Sequence, residues 1–259
     1  MKLAALYTLF NGVDQLGRSL EEIRESVDEI IFGLQTVSNS GNTINYKDAD
    51  IISAEAKKYG ILSNMVRYDP DLSLNPKENE RRKFGALIRA AKVRGCTHFV
   101  LLAADHIYQK DEFNKAKEYI KEHDMIDVSL SSMYTYYKKP TWQLTPIENY
   151  YMPFICKIHP NTTVSALPYP YLTDPSVRVR PIELIHRFRE KDLMLHHYSM
   201  VRKDIRSKFE NAAAAQNWPQ KIEGFIDEFN NYDIEENHGV SYFKGRKIKE
   251  VNNLFNLVI

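Results

Sequence analysis

The sequence contains few cysteines, and their placement indicates neither a metal site nor a disulfide framework. Among 259 residues only Cys96 and Cys156 occur, and they show none of the short spacings typical of zinc sites. We expect both thiols to be reduced, as is usual in the cytoplasm. A cytoplasmic location is therefore predicted.

Long apolar segments and a strong net charge are also absent. The apolar opening 3–10 is too short to span a membrane and lacks a signal-peptide cleavage pattern, so no membrane span is predicted. The net charge of +1 gives no overall attraction to nucleic acid or anionic lipid. Basic clusters remain, and each is either a local anion-binding face or a solvated surface. They lie at 81–83, 178–189, 202–203 and 244–249.

The familiar phosphate-binding and nucleophile motifs are missing. The first apolar segment is not followed by G-x-G-x-x-G, and the chain contains neither a Walker A loop nor a G-x-S-x-G elbow. The sequence therefore excludes a nucleotide site built on a glycine-rich phosphate cradle.

Alternating strand-like and helix-like segments fill the first half of the chain. Predicted strands occupy 2–10, 30–34, 61–68, 97–105 and 126–132. Predicted helices begin at Asp14 and cover 48–59, 76–95 and 111–122, the last with Asp111 as N-cap. This order predicts an α/β fold with a mostly parallel sheet and helices on both faces.

The character of the sequence changes after Met133, where aromatic and turn residues become frequent. Antiparallel strands are predicted at 134–139, 142–144 and 150–158, then an ordered surface loop at 160–180. Helices are predicted at 182–191, 199–218 and 221–230, with a short strand at 240–244. We expect one domain made of two halves, residues 1–132 and 133–259.

Polar residues stand where the predicted parallel strands end. Ligands collect at the carboxyl edge of such a sheet, so these side chains are candidates for a nucleotide crevice. They are Thr8, Asn11, Gln35, Asn39 and Asp105. Asp105 ends the most apolar strand and is our candidate for holding a divalent cation; the alternative is that it only caps the next helix.

Five segments resemble GT-A glycosyltransferases of the family 2 type. The opening Ala4-Ala5-Leu6-Tyr7-Thr8-Leu9-Phe10-Asn11 is similar to the start of that family, as is 27–31. Residues 80–85 and 95–108 are similar to its donor helix and Asp-x-Asp strand, and 196–202 resembles its C-terminal histidine segment. The sequence departs from the family at Ala103, where the first acidic residue is expected, and at Gln35-Thr36, in place of an acidic pair.

The resemblance implies a hexosyl- or pentosyltransferase that moves a sugar from a nucleotide donor, a UDP-sugar above all, to an acceptor hydroxyl, with inversion. It implies Mn²⁺ or Mg²⁺ bound by Asp105 and His197, with His196 as second choice; an exposed histidine pair at a helix start is the alternative. The donor-binding residues expected on this basis are Thr8, Phe10, Asn11, Gln35, Asn39, Arg82, Ala104, Asp105 and Arg202.

An inverting transfer also needs a carboxylate to deprotonate the acceptor. Glu148 is our first candidate and Asp174 the second, and either is otherwise a cap or an exposed acid. Trp142, Tyr150 and Tyr151 are candidates for stacking on the acceptor, although alternating aromatic residues often only pack a strand.

Two other functions compete with this hypothesis. A nucleotidyltransferase uses a similar sheet but normally carries a glycine-rich loop and a basic residue after the first strand, which 9–12 lacks. A non-catalytic sugar- or nucleic-acid-binding module is compatible with Ala103. The acceptor stays open; a hydroxymethylated DNA base is one candidate, with the predicted basic helices 178–191 and 202–208 as phosphate contacts.

Overall fold

Four parallel strands form the centre of the N-terminal half. The computed structural model describes residues 1–212, 222–236, 240–241 and 245–258. In the sheet, β1 (Leu3–Leu9) lies between β2 (Glu29–Leu34) and β4 (His98–Ala103), and β3 (Met65–Arg67) pairs with β2. All three pairings are parallel, so the carboxyl ends of these strands meet at one edge of the sheet.

The helices and remaining strands follow in chain order. The helices are α1 (Leu16–Ile23), α2 (Tyr46–Lys58), a 3₁₀ turn (Leu62–Asn64), α3 (Pro76–Val93), α4 (Lys110–Glu122), α5 (Ile205–Asn211) and α6 (Ile222–Asn231). The other strands are β5 (His106–Tyr108), β6 (Val128–Tyr137), β7 (Trp142–Thr145), β8 (Met152–Lys157), β9 (Thr163–Val164), β10 (Val179–Arg180), β11 (Ile185–Arg187), β12 (Met194–Met200), β13 (Val240–Ser241) and β14 (Arg246–Glu250).

Both faces of β1 are buried, which explains its continuous apolar sequence. Side chains alternate between the two faces of a strand. Leu3, Ala5 and Tyr7 pack with residues of α1, α2 and α4 on one face, whereas Ala4 and Leu6 pack with α3 on the other. The predicted α/β class, with helices on both faces of the parallel strands, is confirmed.

The sheet continues from β4 into the C-terminal half through antiparallel neighbours. β8 pairs antiparallel with both β4 and β6, so β6 runs in the same direction as β4. The far half of β6 pairs with β7 and, in parallel, with β12, which also pairs antiparallel with β5. This arrangement brings β12 beside the carboxyl end of β4.

Several predicted elements differ from the structure. Residues 182–191 form no helix but contain β11, because β11 pairs with β6 and the Asp127 carboxylate binds the backbone N–H groups of Glu183 and Leu184. Tertiary pairing here overrides helical propensity. The strands predicted at 126–132 and 134–139 are one strand, β6. The strand predicted at 61–68 is replaced in part by the 3₁₀ turn.

Two helix starts were also wrong. Gln109, not Asp111, precedes α4, so Asp111 lies in the first turn. Residues 199–204 are not helical, because β12 runs to Met200 and α5 begins only at Ile205. Of the helix predicted at 199–218, residues 213–218 lie outside the described part of the chain, as do 242–244 of the last predicted strand.

Neither a membrane span nor a disulfide is found in the described part of the chain. No helix there is both long and apolar enough to cross a bilayer. Cys96 and Cys156 are buried and not bonded to each other.

Candidate active site

A cavity of about 470 Å³ opens at the carboxyl edge of β1 and β4. Its walls come from the end of β1, the start of α3, the turn after β4, the loop at 174–177, β12 and α5. Predicted site residues that line it are Thr8, Phe10, Asn11, Ala104, Asp105, Tyr150, Asp174, His197 and Arg202. This is the crevice position expected for a ligand of an open α/β sheet.

Asp105 lies in the turn between β4 and β5, and two histidines face it. The antiparallel pairing of β5 with β12 puts His106 directly opposite His197. Their Nε2 atoms lie 3.9 Å and 3.8 Å from the Asp105 Oδ1 atom, and their rings meet edge to face at 4.9 Å. The structure therefore brings Asp105 and His197 together and adds His106.

These three side chains form a candidate site for one divalent cation. Their ligand atoms all lie within 4.8 Å of one another. Two ligands each about 2.1 Å from one ion are at most about 4.2 Å apart, which accommodates both Asp–His distances. Burial lowers the pKa of His106 and brings that of His197 to about 3, so both imidazoles are neutral and able to coordinate. The ion itself is not identified by this geometry.

Positive charge acts on Asp105 from the other side. The Arg202 Nη2 atom donates to the Asp105 Oδ2 atom at 2.7 Å, and both side chains are buried. Burial raises the pKa of Asp105, but the neighbouring Lys208, His197 and Arg202 side chains outweigh that effect and hold the pKa well below its usual value. Asp105 is therefore ionised at neutral pH.

Amide side chains hold α5 over the cavity. The Asn11 Nδ2 atom donates to the Ser207 hydroxyl at 2.9 Å, while the Asn11 Oδ1 atom accepts from the Asn45 backbone N–H at 2.8 Å. The Asn42 Nδ2 atom donates to the Asn211 Oδ1 atom at 3.1 Å. Asn11, predicted to contact the donor, therefore also joins the first strand's loop to the C-terminal segment.

Three predicted donor-binding residues do not line the cavity. Gln35 is buried, accepts a hydrogen bond from the Lys83 Nζ atom at 2.6 Å and donates to Asn39 at 3.0 Å. The side-chain amides of Gln35 and Asn39 are therefore already hydrogen-bonded outside the cavity. Arg82 points instead to an outer groove on α3, where Asp71 and Glu78 lie within 4 Å of it. The periodic pattern predicted the helix but not which of its faces meets the cavity.

The two predicted base candidates differ in position. Asp174 lines the cavity, and its Oδ1 atom accepts hydrogen bonds from the Ser176 N–H at 2.7 Å and hydroxyl at 2.5 Å. Glu148 does not line it; its Oε1 atom accepts from the Thr135 hydroxyl at 2.8 Å and forms an ion pair with Arg246.

Only one of the predicted stacking aromatics faces the cavity. Tyr150 lines it, whereas Trp142 packs in the cluster around α6 and Tyr151 lies beneath the Arg187 guanidinium. His196 is buried with its Nδ1 atom 2.7 Å from the Tyr136 hydroxyl, so it belongs to the core behind the site. Neighbouring residues on a strand point to opposite faces, which separates His196 from His197.

Sequence reasoning did not predict that His106, Glu80 and Lys208 line the cavity. His106 follows Asp105 directly, but the sequence did not show that it lies in a second strand rather than before a helix. Glu80 and Lys208 lie on helices, where charged side chains usually face solvent, and only the tertiary arrangement turns them inward. Burial is the largest influence on Glu80 and raises its pKa, and the neighbouring Asp174 carboxylate acts in the same direction.

No protein-family model and no curated protein matches the chain. Among solved structures it is similar to S. aureus TarS, with 12% identity over 95% of this chain and 45% of that one and a TM-score of 0.42. It is similar to Mycobacterium tuberculosis glucosyl-3-phosphoglycerate synthase, crystallised with Mn²⁺, UDP-glucose and phosphoglyceric acid (10% identity, 97% and 87% coverage, TM-score 0.39). It is also similar to Thermus thermophilus mannose-1-phosphate geranyltransferase, with 13% identity over 60% of this chain and 50% of that one and a TM-score of 0.34.

The chain spans 50% of the geranyltransferase and 36% of a TarS fragment bound to UDP. Identities and TM-scores are low throughout, so the chemistry of the cavity has to be derived from its own residues.

Proposed function

We propose that this protein is a GT-A-type glycosyltransferase that moves a sugar from a nucleoside diphosphate, with a UDP-sugar as the favoured donor, to an acceptor hydroxyl. One observation carries the proposal: a single cavity at the carboxyl edge of the parallel strands combines an ionised carboxylate, two neutral imidazoles and a buried guanidinium. That combination suits a diphosphate leaving group better than a neutral ligand.

Arg202 is assigned to the diphosphate. Its Nε atom donates to the Ser199 carbonyl and its Nη2 atom to Asp105, which fixes the plane of the guanidinium. Its Nη1 atom has no hydrogen-bond acceptor in the described part of the chain and is free to donate to a phosphate oxygen. Charge-assisted hydrogen bonds of this kind stabilise the negative charge that develops as the glycosidic bond breaks.

Asp105, His106 and His197 are assigned to a divalent cation. When bound, the ion supplies Lewis-acid stabilisation of the leaving diphosphate. Two imidazoles favour Mn²⁺ over Mg²⁺, because Mg²⁺ prefers oxygen ligands almost exclusively. Mn²⁺ is therefore the ion proposed.

Asp174 is assigned as the base that accepts the proton of the acceptor hydroxyl, with inversion at the sugar. Its Oδ1 atom is held by Ser176, which leaves the Oδ2 atom to face the substrate. Glu148 is less suited to this role, because Arg246 and Thr135 already bind its carboxylate.

The decisive experiment incubates the protein with Mn²⁺ and a panel of nucleotide sugars and measures release of free nucleoside diphosphate. We expect release from a UDP-sugar, slowly with water alone as acceptor. Asp105→Ala should abolish metal-dependent donor binding with an unchanged circular dichroism spectrum. Asp69→Ala, which removes an exposed carboxylate paired with Arg67, is the matched control and should bind donor normally.

The absence of release from every donor, with or without metal, would contradict the enzyme proposal and favour a binding module. Release of pyrophosphate from a nucleoside triphosphate would favour a nucleotidyltransferase instead. That alternative is not favoured, because the loop after β1 presents Asn11 rather than a basic residue. The DNA-base acceptor also loses one of its predicted contacts, since 178–191 is not a basic helix.

A further inference from the structure

Two cationic side chains lie beside one carboxylate at the Asp105 side of the cavity. Asp105 is the only carboxylate among the three cation-binding side chains. Arg202 is in contact with Asp105, and Lys208 is the strongest of the neighbouring charges that act on it. One negative group therefore faces two positive ones.

Lys208 occupies this position without an ion-pair partner of its own. It lines the cavity, and no carboxylate in the described ranges lies within 4.0 Å of its ammonium group. Burial lowers the pKa of Lys208, whereas the Asp105 and Glu80 carboxylates act from a longer distance to raise it. Its backbone is held in place, because the adjacent Ser207 hydroxyl accepts from Asn11, and the Asn211 side chain one turn later accepts from Asn42.

This fixed ammonium affects a metal ion and a diphosphate in opposite ways. Two like charges repel strongly where water is scarce, so Lys208 opposes a divalent cation at Asp105, His106 and His197. A nucleoside diphosphate is a multiply charged anion and is attracted by the same group. Once the diphosphate is bound, it also screens Lys208 from the metal.

We propose that Lys208 is a diphosphate-binding residue that makes metal and nucleotide bind together. It lowers the affinity of the nucleotide-free protein for a divalent cation and holds the diphosphate directly, even without metal. This inference rests on the proposed function of the cavity. Linkage requires the coupling to be mutual, so nucleotide increases metal affinity by the same factor as metal increases nucleotide affinity.

Lys208→Met separates the two effects because they have opposite signs. We expect the variant to bind Mn²⁺ about tenfold more tightly than the wild type in the absence of nucleotide, since one nearby positive charge is removed. We expect its affinity for UDP in EDTA to fall about tenfold, since one charge-assisted contact is lost. Free Mn²⁺ is measured by electron paramagnetic resonance and UDP binding by calorimetry.

Two controls accompany this variant. Lys203→Met removes an exposed lysine from the same segment, outside the cavity, and should change neither affinity. Lys208→Arg keeps the charge and should resemble the wild type in both measurements. A damaged fold cannot produce the expected result, because misfolding does not tighten metal binding.

Unchanged or weaker Mn²⁺ binding by Lys208→Met would overturn the proposal. So would unchanged UDP binding in EDTA, or a wild-type protein that binds no UDP under any condition. The outcome is distinguishable from failure of the proposed function: a protein that releases nucleoside diphosphate from no donor, yet shows both opposite shifts, keeps the Lys208 assignment and loses only the transferase activity.

Discussion

Gly12 offers a direct test of the Arg202–Asp105 contact, because a methyl group there would collide with the guanidinium. Gly12 has a φ of +74°, and a Cβ atom built on it would lie 1.9 Å from the Arg202 Nη1 atom. Gly95 has nearly the same backbone conformation, with a φ of +72°, but a Cβ atom there meets nothing within 4 Å. Gly12→Ala and Gly95→Ala therefore differ mainly in the collision.

The expected free energies of unfolding follow from these two environments. An L side chain in the left-handed region costs about 1–2 kcal/mol, so Gly95→Ala should be destabilised by that amount. In Gly12→Ala the guanidinium must also retreat from 1.9 Å to at least 3.4 Å, which breaks its 2.7 Å hydrogen bond to Asp105. Loss of a buried charged hydrogen bond adds about 1.5–3 kcal/mol, for a total of about 2.5–5 kcal/mol.

Urea unfolding measures the free energy of unfolding of each variant, and calorimetry measures its affinity for UDP. Gly12→Ala should bind UDP more weakly than the wild type, whereas Gly95→Ala, at the end of α3 and away from the cavity, should bind it normally. Equal destabilisation of the two variants together with equal UDP affinity would refute the reasoning, since it would mean that Arg202 neither depends on Gly12 nor contributes to the site.

Two further predictions concern carboxylates. Asp174→Asn should lower kcat for donor hydrolysis by about 10²–10⁴-fold with donor binding unchanged, as expected for loss of a general base. Glu148→Gln should mainly lower the melting temperature. The reverse pattern in the kinetic and thermal measurements would make Glu148 the base. For Asp127, burial raises the pKa. The hydrogen bonds from the backbone N–H groups of Glu183 and Leu184 and from the His159 ring lower it by more, so the net pKa is below the usual value. Its contribution is therefore present above about pH 4 and lost as the pH falls through the folded-state pKa. Asp127→Asn should cost about 1–3 kcal/mol at pH 7, and urea titrations in which this gap does not narrow as the pH is lowered below about 4 would contradict the reasoning.

The strand-end pattern was sufficient to locate one wall of the cavity. Thr8, Asn11 and Asp105 follow apolar strands, and the rule that ligands bind at the carboxyl edge of a parallel sheet places them together without further information. The same rule failed for Gln35 and Asn39, although they also follow a strand. Their amides hydrogen-bond to each other and to Lys83, and such local pairing cannot be read from a single sequence.

The C-terminal half was harder to predict because its elements depend on distant partners. Residues 182–191 have a helical pattern, yet β6 offers free edge hydrogen bonds and Asp127 binds the backbone there, which together decide for a strand. His106 was not predicted as a site residue for the same reason. Its segment precedes a helix in the sequence, and it forms the strand β5 only because it pairs with the distant strand β12. Propensity describes local preference, and these segments are decided by contacts between halves of the chain.

The chemistry of Asp105 is determined mainly by residues that lie far from it in the sequence. Its own strand supplies the carboxylate and His106, but His197, Arg202 and Lys208 all come from a segment of twelve residues that includes the end of β12 and most of α5. Asn11 and Gln15 bind that same segment to the region after the first strand, and Asn42 binds Asn211 just beyond it. The candidate cation ligand His197, the Arg202 guanidinium and the Lys208 ammonium therefore lie on one segment with shared anchors. A displacement of 197–208 would move all three at once, so we expect donor binding and the docking of this segment to be one cooperative event.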